Sequence, residues 1–309
     1  MSRVRKGQDI HGILLLDKPA GITSNSALQT VRRQLHARKG GHCGSLDPFA
    51  TGMLPLCFGE ASKTAAYMLG ASKIYLATAR LGLATNTGDV DGEVQRKSVV
   101  PALTREGIDA ALRKFTGPIT QVPPMYSALK HEGRPLYALA RKGIDVPRQP
   151  REVIIHALEC LSWEAPLLSF KVHCSKGTYI RTLAEDICAA LGTCGHLRSL
   201  RRLWVEPFAG EPMIALAELE SAVAAGKGTA LLLPIDAGLQ GWPRLELEPA
   251  RAERFRQGNP VTAAGPNPGR VRVYADSGRI LGLAELRADG KLHPKRVFVY
   301  SPPVGQEAK

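Results

Sequence analysis

The stretch GGHCGSLDPFATG, residues 40–52, sets four glycines and one proline around a single acid, Asp47. Glycines at 40, 41, 44 and 52 allow turns closed to other residues and a close approach of backbone to ligand. Pro48 holds Asp47 away from helical geometry. An acid is thus presented on a shaped loop just after a basic segment. On physics alone two readings of Asp47 stand level: a reactive carboxylate, or a turn residue bonded to its own backbone, as Asp before Pro often is.

Charge is the first functional pointer outside the loop. The 309 residues carry a net charge of +13, which suggests a polyanionic partner, most simply nucleic acid. Residues 1–41 hold eight Lys or Arg against two acids, and 130–151 six against two. HLRSLRRLW (196–204) adds three arginines and no acid. Apolar residues at 44% and charged residues at 22% fit a folded globular protein. No apolar run is long enough to span a bilayer, and the basic N-terminus has no signal core behind it, so a cytoplasmic location is expected. Six cysteines, at 43, 57, 160, 174, 188 and 194, lack CxxC spacing. They are expected to be reduced thiols, most of them in the core, with no zinc site. The Walker, Rossmann, GxSxG and HExxH motifs are all missing, so an enzyme here is expected to work without a cofactor or metal.

The chain alternates strand-like and helix-like segments, which predicts a mixed α/β (α+β) fold. IHGILLLDKP (10–19) reads as a buried strand. SNSALQTVRRQLHARKG (24–40) reads as a helix, with Leu28, Val31 and Leu35 on one face, Thr23 or Ser24 as cap and Gly40 as stop. EASKTAAYMLG (60–70) predicts a short helix and SKIYLATARLG (72–82) a strand. TREGIDAALRKFTG (104–117) predicts a helix burying Ile108, Leu112 and Phe115. LLSFKVHCSKG (167–177) alternates as a strand, and TYIRTLAEDICAALG (178–192) as a helix stopped by Gly192. The proline-rich, basic stretch 118–151 reads as an excursion from the core, an RNA-facing lobe with a short helix in RPLYALARKG (134–143). Past LQGWPRL (239–245), a helix in PARAERFRQG (249–258) and strands in RVRVYA (270–275), RILGLAEL (279–286) and KRVFVY (295–300) predict a compact β-rich module.

Several of these segments resemble one family in order. GGHCGSLDPFATGMLP (40–55) is similar to the motif around the catalytic aspartate of the TruB family, the bacterial tRNA pseudouridine-55 synthases. LLLDKPAGITS (14–24) resembles its KP motif, and SKIYLATARLGLATNTGDVDGE (72–93) its tyrosine-bearing strand. VPPMYSALKHEGRPLYALARKG (122–143) resembles its RNA-contacting insertion. CSKGTYIRTLAEDI (174–187) with HLRSLRRL (196–203) completes a match over roughly residues 10–205. The tail resembles, more loosely, a PUA RNA-binding domain.

The resemblance implies a pseudouridine synthase fold with a central antiparallel sheet over residues 1–240, its RNA-contacting insertion at about 118–151, and a PUA-like domain at 244–302. It implies a monomer that acts on the T arm of tRNA, at the uridine of position 55 in the TΨC loop. Asp47 would be the nucleophile, attacking either C6 of the base or C1′ of the ribose. Arg181 would pair with Asp47 and keep it ionised. Tyr75 would pack on the flipped-out base and take the C5 proton. His42, Tyr179 and Leu200 would hold the nucleotide, and Lys18 would support the loop. Without the resemblance Tyr75 reads as a half-buried strand tyrosine, Arg181 as a partner of Glu185 and Leu200 as core. Two rivals keep the fold: an RNA-binding or RNA-folding protein without the chemistry, and the guide-RNA-dependent relatives of archaea and eukaryotes. Cys43 and Ser45 stand where threonine or a similar small residue is common in the family. Cys43 is therefore expected to make the enzyme sensitive to thiol reagents.

Overall fold

The computed structural model describes residues 7–265 and 268–300; positions 301–302 of the expected C-terminal unit, and 1–6 of the first, lie outside them. The first strand, β1 (Gly12–Lys18), turns Leu14 and Leu16 into one apolar layer and Ile13 and Leu15 into another. Helix α1 (Ser24–Gln34) begins at Thr23, whose hydroxyl accepts from the Ser26 N–H at 3.0 Å. It ends before the stop read at Gly40. His36 takes a left-handed φ of 50°, and Gly40 instead opens β2 (Gly40–His42). Pairing is the reason: β2 lies antiparallel on β3 (Thr51–Phe58), and this tertiary ladder overrides local helix preference.

A 3-10 turn and helix α2 (Ala65–Leu69) lead into β4 (Lys73–Leu81), which alternates buried and half-buried residues along its length. The hairpin β5 (Leu83–Thr85) and β6 (Val94–Lys97) follows. Helix α3 (Arg105–Arg113) is capped by Thr104 and buries Ile108 and Leu112. The excursion expected at 118–151 is narrower than its composition suggests. Its start belongs to β7 (Gly117–Gln121) and its end to the long β10 (Arg151–Glu164), which pair with each other. Between them stand a hairpin of β8 (Lys130–His131) and β9 (Arg134–Pro135) and the short helix α4 (Leu136–Ala140). Strand β11 (Leu167–Cys174), helix α5 (Ile180–Ala190) and strand β12 (Gly195–Val205) complete this part. Gly192, at φ 79°, ends α5 as expected.

The main sheet runs β1-β3-β12-β4-β11-β10-β7, with β2 beside β3. Every pair is antiparallel except β12 with β3, which meet only at Arg201–Thr51 and Arg202–Gly52. The loop 43–50 leads straight into that junction. Gly52 permits it: at φ 99°, a Cβ there would lie 2.2 Å from the Arg202 carbonyl oxygen. Helices α3 and α5 cover one face of β4, β11 and β10, packing Ile108, Leu183 and Ile187 on Ala77, Ala79 and Phe170.

After α6 (Leu216–Ala224), the chain forms β13 (Arg244–Leu247), α7 (Pro249–Arg256), β14 (Val261–Thr262), β15 (Gly269–Ala275), β16 (Ile280–Leu286) and β17 (Lys291–Val297). These strands make a second sheet in the order β13-β15-β16-β17-β14. The strand expected at 295–300 is shifted toward the N-terminus. Val297, paired with Gly282, ends the ladder; Phe298 follows, its N–H donating to the Leu281 carbonyl at 2.8 Å and its side chain joining the apolar cluster that also holds Ile13, Leu15 and Met53. That shared apolar cluster joins the two sheets, with Lys63 Nζ donating to the Val297 carbonyl at 2.8 Å. No helix among the described residues is long and apolar enough to cross a membrane.

Candidate active site

Asp47 sits where the glycine-rich loop passes the start of α5. Arg181, on the first turn of that helix, points its guanidinium at it: Nε lies 3.0 Å from Asp47 Oδ2 and Nη2 3.3 Å from Oδ1. The Arg181 side chain is 4% exposed, so its other N–H groups need partners. Nη1 donates to the Thr87 carbonyl at 2.8 Å and Nη2 to the Tyr126 carbonyl at 2.6 Å. A second carboxylate, Asp89 in the β5–β6 loop, stands 3.4 Å from Nη1. Arg181 therefore ties three distant segments to one point. It makes no ion pair with Glu185 within 4.0 Å among the described residues, despite the helical spacing.

The electrostatics of Asp47 differ from the sequence expectation. Burial raises its carboxyl above the ordinary aspartate value, Arg181 opposes that shift, and Asp89 and Asp91 add to it. The cation thus offsets a desolvation cost rather than producing a strongly acidic group.

The loop itself is gripped along its main chain. Ser24 Oγ both accepts from the Leu46 N–H at 2.8 Å and donates to the Leu46 carbonyl at 3.0 Å. Lys18 is fully buried and donates to the carbonyls of Pro19, Ile22 and Pro48 at 2.8, 2.9 and 3.2 Å. It lies beneath the loop, not in the cleft. Burial lowers its ammonium to about 8. On the other side Arg202, 1% exposed, donates to the Met53 carbonyl at 2.6 Å and the Gly44 carbonyl at 3.1 Å.

Asp47 borders two connected hollows. The outer cleft, about 810 Å³, is lined by His42, Asp47, Tyr126, Tyr137, Arg141 and Arg181 among others. The inner pocket, about 310 Å³, is lined by Asp47, Lys73, Tyr75, Tyr179, Leu200 and Arg202 among others. Five of the six other positions singled out from the sequence therefore line the hollows that Asp47 borders, and the sixth, Lys18, lies directly under the loop. Tyr75 and Leu200 come from the facing strands β4 and β12, both with only 7% exposure. Tyr179 lies under Arg151, whose guanidinium carbon is 4.5 Å from its ring centre. His42 has a buried Nδ1 without a hydrogen-bond partner, and burial followed by Arg202 lowers its pKa.

Sequence reasoning missed Ser24, Lys73, Asp89 and Arg202. Asp89 sits in a turn-like run, TGDVDG, and Arg202 in a basic cluster, HLRSLRRLW. Only a strand assignment for 195–205 would have turned Arg202 inward. Cys43 also departs from expectation. It is fully buried, with its Sγ 3.4 Å from that of Cys57, so a reagent cannot reach it in the folded chain. All six cysteines are free and buried.

Comparison with known proteins gives the family of the chain. Residues 32–180 match the model of the TruB family pseudouridylate synthase N-terminal domain. Residues 181–240 match the tRNA pseudouridylate synthase B C-terminal domain, and 243–298 the C-terminal model of pseudouridine synthase II TruB. The tRNA pseudouridine synthase B of Xanthomonas euvesicatoria pv. vesicatoria (strain 85-10) is 51% identical over 94% of each chain. That of Dechloromonas aromatica (strain RCB) is 50% identical over 95% of this chain and 97% of its own. In fold, the chain is similar to one in a crystallised Cbf5-Nop10-Gar1 complex, with a TM-score of 0.72 and 24% identity over 93% of this chain and 85% of that one. A chain of an H/ACA RNP bound to a substrate RNA containing 2'-deoxyuridine gives a TM-score of 0.71 and 21% identity over 97% and 92%. On the sequence matches, the chain belongs to the TruB family of tRNA pseudouridine synthases, which isomerise uridine to pseudouridine in tRNA.

Proposed function

We propose that the chain acts on uridine 55 in the TΨC loop of tRNA, with Asp47 as nucleophile toward a base turned out into the inner pocket. The observation that carries this reading is the Asp47–Arg181 pair at the mouth of a pocket floored by Tyr75 and Leu200. Asp47 adds to C6 of the uracil or to C1′ of its ribose; the glycosidic C–N bond breaks, the base turns, C5 bonds to C1′, and the bond to Asp47 breaks to free its carboxylate. The C5 proton then leaves, and Tyr75 is the group beside it that accepts one. His42, Tyr179 and Leu200 hold the nucleotide. Lys18 acts at one remove, by fixing Pro48 and hence the backbone of Asp47.

Turning a base out of a folded loop costs about a few kcal/mol. Basic side chains bordering the outer cleft, such as Arg141 on the lobe after α4, offset that cost through phosphate contacts. The T arm is the partner, no cofactor takes part, and the chain works as a monomer in the cytoplasm. Residues 1–240 form the catalytic unit, with an RNA-contacting insertion between β7 and β10 within the expected span of about 118–151, and 244–302 a PUA-like RNA-binding unit. Pseudouridine mapping on an unmodified tRNA transcript tests the assignment. Modification at position 55, lost when that position is cytidine, is the expected result; modification elsewhere, or none, contradicts it.

A further inference from the structure

Arg202 is the largest fully buried side chain of the described residues, and no carboxylate lies within ion-pair range of it among them. A buried cation without a counter-ion is costly unless something uses its charge. Its hydrogen bonds go to main-chain carbonyls on both flanks of the glycine-rich loop: Gly44 at 3.1 Å before Asp47, and Met53 at 2.6 Å after it. The Ser45 carbonyl lies 3.5 Å from Nη1. In the β12–β4 ladder Arg202 stands directly opposite Tyr75. Opposed residues of an antiparallel pair present their side chains on one face, about 5 Å apart at Cβ. Both side chains line the inner pocket.

We infer that Arg202 is a positioning residue of the isomerisation: it pins both ends of the loop that carries Asp47 and presents its charge to the Tyr75 hydroxyl. One buried cation thereby sets the nucleophile and the phenol in register with each other. The inference rests on the roles given above to Asp47 and Tyr75. It also accounts for Gly52, whose missing Cβ lets β3 come close enough for the Met53 carbonyl to be reached. Burial raises the Tyr75 phenol above its ordinary value, and Arg202 is the principal group opposing that rise. A proton acceptor in a closed pocket needs such a neighbour to reach its charged form.

The test compares Arg202→Gln with Arg202→Lys in the full chain on unmodified tRNA transcript. Single-turnover pseudouridine formation is followed from pH 6 to 10, with tRNA affinity measured alongside. Arg202→Gln should slow the reaction by about 100-fold at neutral pH and move the rising limb of the rate profile, set by ionisation of Tyr75, to higher pH by about one unit. Its tRNA affinity should stay within about threefold of wild type. Arg202→Lys keeps the charge but not the fork, so it should be slowed by only about tenfold, with its limb near the wild-type position. If Arg202→Gln does not fold, Arg202→Lys decides alone, and a wild-type rate in it overturns the inference. Equal losses in both variants with a wild-type pH profile would leave only a structural role and overturn it as well. An inactive Asp47→Asn beside a fully active Arg202→Gln removes this inference alone. An Asp47→Asn variant as active as wild type removes the reading of the site beneath it.

Discussion

Arg181 Nε stands 3.0 Å from Asp47 Oδ2 although 134 positions separate the two residues. The arginine is almost wholly buried, and it faces a second carboxylate, Asp89. Removing it leaves two acids close together without their cation. Arg181→Met is therefore expected to lower folding stability by about 3–5 kcal/mol. It should also lift the Asp47 carboxyl further, because burial and the Asp89 charge would act unopposed. Urea denaturation and single-turnover kinetics read both effects. A variant of wild-type stability and rate would show that the pair does not organise the site.

The acid of α5 that Arg181 does not pair with makes a separate prediction. Glu185 is lifted from 4.5 to about 7, by burial first and Asp186 second. The folded state thus holds a proton that the unfolded chain releases above about 4.5. Its stabilising contribution is complete below that pH and is lost as pH rises through about 7. Glu185→Gln removes this dependence. The variant should gain about 1–3 kcal/mol relative to wild type between pH 4.5 and 8, after allowance for partial exposure. A wild-type-minus-variant difference that stays flat over that range would contradict it.

Thiol chemistry gives a third. With every cysteine buried, iodoacetamide at neutral pH should alkylate fewer than one thiol per native chain and all six in denaturant. Mass spectrometry counts the adducts. Rapid native labelling at Cys43 would mean that the loop opens far more readily than its hydrogen bonds suggest.

Gly52 supplies a fourth. A methyl group there would meet the Arg202 carbonyl at 2.2 Å, on a backbone at φ 99° that other residues rarely adopt. Gly52→Ala should cost at least about 3 kcal/mol of stability. Thermal melting within a degree or two of wild type would show that the β3–β12 junction yields easily.

Much of this fold is legible in local sequence pattern. β4 alternates cleanly, α1 and α5 bury one face each, and Gly192 ends α5 where a left-handed residue is expected. The glycines and proline around Asp47 mark a shaped loop, and family resemblance supplies Tyr75 and Arg181. What stays hidden depends on partners far away in sequence. Gly40 reads as a helix stop because nothing nearby announces that β3 will pair with it. Phe298 reads as strand, but it lies just past the last ladder pair, and its side chain belongs to the apolar cluster shared with β1 and β3 residues. Arg202 reads only as one of three arginines in nine residues, a cluster that could line a groove or be scattered over the surface. Its burial comes from lying between the Asp47 loop and Tyr75, a relation only the ladder register reveals.

The most direct test of the central claim is pseudouridine formation at position 55 of an unmodified tRNA transcript by wild type and Asp47→Asn under single-turnover conditions. Asparagine preserves the size of the side chain, and the mutant's tRNA affinity should stay within about threefold of wild type while its rate falls by more than about 10,000-fold. Pseudouridine at position 55 formed by Asp47→Asn at a rate near wild type would contradict the account.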